Sequence, residues 1–223
     1  MTPFYKYSAL QRRTCILFAF FFFTALSKGQ CPDKNFLEKR IAYLRDSSGL
    51  SSERQLIELH GYLDKMQNCP YRNDSTHARL ARRIGGIYYQ EADYFNAIKY
   101  YRQSIHIITA NADKPSVNIT DLPGSYYWLS MMYEALNMSN ERMIALDSCY
   151  RVAIRIHYID GACLRALYNW GEYFFDLGDY HRCIDYMQQC QSLVKRYPDL
   201  ISPKVREEFI SGSLLWQVKA LLE

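Results

Sequence analysis

Apolar positions recur along most of this chain at three- and four-residue intervals, the period that puts them on one face of an α-helix. Phe36, Leu37, Ile41 and Leu44 predict a helix over Asn35–Ser47, and Leu56, Leu59, Leu63 and Met66 a second over Ser52–Met66. Between them Ser48-Gly49-Leu50-Ser51 reads as a turn, with Ser51 or Ser52 as the N-cap of the second helix. The two form an N-terminal hairpin over residues 30–70. Ala110–Gly124 contains Pro115, Pro123 and Gly124 and reads as the longest loop. Ser202-Pro203 supplies an N-cap followed by proline at the first helical position, opening a helix over residues 202–223. Its apolar residues, among them Phe209, Leu214, Trp216, Val218 and Leu222, lie on more than one face. A single neighbouring helix therefore leaves part of them uncovered.

The middle of the chain repeats itself. Tyr94 and Tyr180 are 86 residues apart, and at the same offset Ile84 meets Trp170, Gly85 meets Gly171, Tyr88 meets Phe174 and Asp93 meets Asp179. Ala97 meets Cys183, Tyr100 meets Tyr186 and Ser104 meets Cys190, so small residues pair with small and aromatics with aromatics. Each copy reads as two helices around a turn, 91–94 in one and 177–180 in the other, and Gly178 suits a helix end with positive φ. Gly85 and Gly171 mark places where one helix lets another approach closely. A weaker copy lies between, with Leu129, Ser130 and Tyr133 in its first helix. Its second helix fits through Ala145, Cys149 and Val152 after a turn lengthened by a few residues.

This arrangement resembles the tetratricopeptide repeat family, whose unit is a helix–turn–helix of about 34 residues with small residues at fixed places. The resemblance covers residues 76–198 as about three units, the middle one degenerate. It implies an all-α fold, a right-handed superhelix of antiparallel helix pairs, with the C-terminal helix as the first helix of an incomplete unit. First helices line the inner face of such a superhelix. By the family pattern Arg79, Arg82, Arg83 and Tyr89 face it in the first unit, Tyr127, Met131 and Glu134 in the second, and Arg165, Tyr168, Glu172 and Phe175 in the third. Arginine and tyrosine are favoured at protein interfaces. Some family members grip a peptide C-terminus with a Lys/Asn/Arg set. Gly86 stands where that set needs Asn, so this activity is not carried over.

The N-terminus has another character. Lys6, Arg12 and Arg13 precede an unbroken apolar run from Ile16 to Phe23, and Ser27 and Gly29 offer small residues for cleavage. Residues 1–29 read as a secretory signal peptide with Gln30 as the new terminus. An uncleaved membrane anchor, or a lipid-modified Cys31, are the other readings. The whole chain is formally +4. Residues 1–29 carry Lys6, Arg12, Arg13 and Lys28 and no acid, so the remainder is formally neutral. That balance offers no steering toward nucleic acid.

Export permits disulfides. Cys31 opens the first helix and Cys69 closes the second, and an antiparallel hairpin brings those ends together, so a Cys31–Cys69 bond is expected. Cys183 and Cys190 occupy small-residue positions and read as buried apolar groups. Cys149 and Cys163 could approach across neighbouring units. The five histidines are scattered with no paired spacing, and no C-x-x-C, G-x-S-x-G, phosphate-binding or dinucleotide motif occurs. No enzymatic activity, metal, cofactor or small-molecule substrate is therefore expected.

Two functions fit these features. One is a protein-binding scaffold in the periplasm or outside the cell, engaging a protein or peptide, with possible self-association through residues 203–223. The other is a ligand-sensing region of a larger signalling protein. An export signal, long loops and many tyrosines resemble exported tetratricopeptide regions of Bacteroidetes-type bacteria. In that group such regions often precede a histidine kinase or a CHAT-type protease.

Overall fold

The structure, a computed structural model, describes residues 31–46 and 49–223. Those residues form helices joined by turns and loops, with no strand among them. In chain order they are α1 (Lys34–Asp46), α2 (Ser52–Met66), α3 (Ser75–Gln90), α4 (Tyr94–Ala110), α5 (Asp121–Ala135), α6 (Ser139–Arg155), α7 (Gly161–Asp176), α8 (Tyr180–Arg196) and α9 (Pro203–Leu222). The architecture is an all-α superhelix of antiparallel pairs stacked in chain order. The proposed signal segment, residues 1–29, lies outside the described residues.

Local chemistry sets the helix starts. The Asp74 carboxylate accepts from the backbone N–H of Thr76 at 2.8 Å and of His77 at 3.2 Å. Asp93, Asp160 and Asp179 cap α4, α7 and α8 in the same manner, and Ser51 and Ser202 cap α2 and α9. Each cap satisfies a donor that the helix leaves unpaired, worth about 1 kcal/mol.

The turns inside the three central pairs are alike. Residues 91–93, 136–138 and 177–179 each place their second member at positive φ: Ala92 at 57°, Asn137 at 56° and Gly178 at 74°. The next N–H then reaches back to the carbonyl five residues earlier: Asp93 to Tyr88, Met138 to Tyr133 and Asp179 to Phe174, at 2.8–2.9 Å. This is the Schellman closure of a helix end. The middle turn is thus the same length as the others, against the expectation of a longer one. What differs there is composition. Arg142 occupies the place of Ala97 and Cys183, and keeps its guanidinium partly solvated by pairing with Glu134 at 3.1 Å and Asn169 at 2.8 Å.

Packing explains the recurring glycines. A Cβ on Gly85 would lie 2.7 Å from the Tyr101 ring and 3.2 Å from the Ala97 carbonyl, and one on Gly171 2.5 Å from the Met187 methyl. Ser130 holds the equivalent place in the middle pair, where Leu146 stands at the place of Tyr101 and Met187. Buried apolar residues occur in every helix pair of the stack, from Leu37, Leu44, Leu59 and Met66 through Ile84 and Ile87 to Cys163, Leu167 and Val194. All four cysteines of the last two pairs are buried as free thiols.

Two further points bear on the site. The stretch read as one long loop ends earlier, because α5 begins at Asp121 and takes Pro123 and Gly124 into its first turn, where a missing N–H costs nothing. At the start, Cys31 and Cys69 are joined by a disulfide with a Cα–Cα separation of 5.4 Å, tying the entry of α1 to the exit of α2.

Candidate functional site

The first helices of three successive pairs, α1, α3 and α5, enclose a groove of about 700 Å³. Helical spacing puts its lining there. On α3 the groove takes Arg79, Arg82, Arg83, Gly86 and Tyr89, while the opposite face buries Leu80, Ala81, Ile84 and Ile87. On α1 it takes Glu38, Ile41, Ala42 and Arg45, and on α5 Asp121, Gly124 and Trp128. Every set follows intervals of three and four, one face of one helix.

The guanidinium groups are differently committed. Arg79 reaches Asp121 at 3.0 Å and Arg82 reaches it at 3.3 Å, so one carboxylate on α5 holds two cations on α3. Arg83 turns the other way. Its Nη2 donates to the Leu44 carbonyl at 2.9 Å and to Gln55 Oε1 at 2.7 Å, fastening α3 to the first hairpin. Its Nε is buried without a partner. Burial, followed by the Arg45 charge, holds the Arg83 pKa below the usual guanidinium range. Arg83 thus lines the groove on the expected face of α3 while tying that helix to the first hairpin.

Aromatic groups form the rest. Tyr89 and Trp128 meet edge-to-face with ring centroids 5.5 Å apart, and Trp128 remains 41% exposed to the groove. Tyr101 comes from α4 beneath Gly85 and Gly86 and is 4% exposed. Burial pushes its phenol up to about 12, so it stays a protonated donor at neutral pH.

The remaining inner-face residues are placed differently. Tyr127 is half-buried beside Arg165, and burial raises its phenol. Met131 is half-buried, and Glu134 is exposed and paired with Arg142. In the third pair, α9 lies across the residues expected to meet a partner. Tyr168 packs on Phe209 with centroids 5.8 Å apart, Phe175 on Trp216 at 4.9 Å, and the Arg165 guanidinium lies 6.0 Å from the Phe209 ring. Glu172 is half-buried, and desolvation raises its carboxyl pKa. Tyr168 and Phe175 thus hold the superhelix to its last helix, because an aromatic stripe on α7 is covered by the next helix in the stack.

Sequence reasoning missed Glu38, Tyr101, Asp121 and Trp128. Asp121 was hidden in the stretch assigned to loop, and Tyr101 sits on a second helix at a position that reads as core. Trp128 could have been found, since it stands at the place that Arg83 holds one unit earlier. Among the described residues no group of three or more His, Cys, Asp or Glu could hold a metal ion. No helix among them is long and apolar enough to cross a membrane.

Residues 164–193, within α7 and α8, match the tetratricopeptide repeat family model. Among curated protein sequences none matches. Solved structures share the fold. A mutant of putative kinesin light chain TPR-like repeats from Podosopora anserina aligns over 87% of this chain and 100% of its own, with a TM-score of 0.57 at 9% identity. BtubC (BKLC) from P. vanneervenii aligns over 76% of this chain and 75% of its own, with a TM-score of 0.51 at 12% identity.

Proposed function

We propose that this tetratricopeptide-type helical repeat is a non-catalytic protein-binding scaffold acting outside the cytoplasm, and that the groove between α1, α3 and α5 is its binding face. The carrying observation is Trp128: a tryptophan 41% exposed inside a concave groove, beside Tyr89 and a set of arginines. Aromatic and arginine side chains in a concavity are the residue types that supply binding energy at interfaces. The fold supports the same reading, since superhelices of stacked helix pairs present extended concave surfaces to other chains. The basic and then apolar N-terminus supports action outside the cytoplasm.

Selection of a random peptide display library on the purified chain tests the groove. Enriched peptides are expected to lose at least roughly tenfold in affinity against Trp128→Ala, about 1.4 kcal/mol, and against Gly86→Leu, which fills the groove. Circular dichroism should be unchanged in both. Peptides that bind both variants as well as the parent chain would remove the groove from the account. Mass spectrometry of the protein from its native cells should find Gln30 at the N-terminus. A cytosolic form retaining Met1 would rule out export.

A further inference from the structure

The floor of the groove holds more hydrogen-bond donors than the chain satisfies. Tyr101 is 4% exposed and lines the groove, and its hydroxyl is not engaged in any of the side-chain hydrogen bonds found among the described residues. The buried Arg83 Nε beside it also lacks an acceptor. Both Arg82 and Arg83 act electrostatically on the Tyr101 phenol, which places their charges around it. Gly86 leaves the hydroxyl uncovered, since a Cβ there would lie 3.7 Å from it. An acceptor entering this floor meets a phenol donor with guanidinium charge around it, and a hydrogen bond made there to an ionised acceptor is among the stronger kind.

The charge in the groove selects the kind of acceptor. Four guanidinium groups, Arg45, Arg79, Arg82 and Arg83, line it against two carboxylates, Glu38 and Asp121. Asp121 already shows how a carboxylate sits among them, bridging Arg79 and Arg82. The walls select the rest of the ligand. Ile41, Ala42, Tyr89 and Trp128 offer apolar surface that a bare inorganic anion would leave uncovered, and about 700 Å³ exceeds what such an ion fills.

Resting on the reading of this groove as the binding face, we propose that it takes an acidic peptide segment, one side-chain carboxylate of which enters the floor to accept from the Tyr101 hydroxyl and from Arg82, with the Arg83 charge behind them. The ligand carboxylate competes with Asp121 for Arg82, so Asp121 acts as an internal rival that sets the threshold for binding. Apolar neighbours of that acidic residue lie against Tyr89 and Trp128.

Calorimetric titration of the full chain tests this. The probes are an acetylated, amidated hexapeptide of alternating leucine and glutamate, its glutamine counterpart, and sodium sulfate. The glutamate peptide should bind at least roughly tenfold tighter than the glutamine one, with the difference shrinking as salt rises. Tyr101→Phe keeps the packed ring and should remove most of that difference, as should Arg82→Gln. Asp121→Asn should bind the glutamate peptide several-fold more tightly than the parent chain. Equal affinity for the two peptides would overturn the proposal, and would leave the binding-face reading standing if both still lose affinity in Trp128→Ala. Sulfate binding as tightly as the glutamate peptide would overturn the peptide assignment in favour of a free oxyanion.

Discussion

Ala92 holds φ of 57° at a helix end where Gly178, two helix pairs later, holds 74°. An L-residue with a Cβ is strained in that region by about 1–2 kcal/mol, and glycine is not. Ala92→Gly should therefore stabilise the chain by about 1 kcal/mol, and Gly178→Ala should destabilise it by at least as much. Denaturant melts of the two variants should move in opposite directions; movement in the same direction would refute this account of the turns. A second residue gives a pH dependence. His77 is buried at the start of α3, its Nδ1 accepts from the Asn73 N–H at 3.2 Å, and its Nε2 has no partner. Desolvation, opposed in part by Asp74, lowers its pKa from the ordinary 6.5. The fold thus favours the neutral ring. Its contribution is complete above about pH 6.5 and is lost as pH falls through the lower folded value. His77→Gln should lose less stability between pH 7 and pH 5 than the parent chain, and a parallel loss in both would contradict this.

At the scale of elements, the first hairpin depends on a covalent tie. The Cys31–Cys69 disulfide spans 38 residues, and closing a loop of that length restrains the unfolded chain by about 4 kcal/mol in the loop-entropy model. Cys31→Ser should lower unfolding stability by roughly 2–4 kcal/mol, read from equilibrium denaturation, and an unchanged midpoint would exclude the tie. The helix pairs themselves were legible in the sequence because tight packing restricts residue size at fixed places. Gly85 and Gly171 lie under Tyr101 and Met187, and nothing larger fits there without movement. The middle pair was misaligned because Arg142, a long charged residue, stands at the small-residue place and suggested a shift that the backbone does not make. A local pattern carries no sign that such a side chain can leave sideways toward Glu134 and Asn169. The site was legible in part for the same reason. Arg79, Arg82 and Tyr89 follow from helical spacing on α3, whereas Asp121 becomes visible only once α5 is seen to start inside a proline-bearing stretch. The tie from Arg83 to the Leu44 carbonyl is a contact to backbone and leaves no mark on residue type.

The whole molecule has two unequal ends. At the N-terminal end the groove is concave, cationic and open. At the other, α9 covers the aromatic stripe of α7 with Phe209 and Trp216, and leaves Leu214, Leu215, Val218, Leu221 and Leu222 half or more exposed. Patches of this kind promote association. The chain should show a concentration-dependent rise in mass by sedimentation, abolished in Leu215→Glu/Leu222→Glu. A monomer at the highest attainable concentration would refute it. The central claim concerns the other end, that partner recognition occurs between α1, α3 and α5. Site-specific photocrosslinking tests it most directly, with a benzophenone amino acid at Tyr89 inside the groove or at Phe95, an exposed residue of α4 outside the groove lining. A bound peptide from the library selection should crosslink from position 89 and not from position 95. Crosslinking from position 95 with none from 89 would contradict the account.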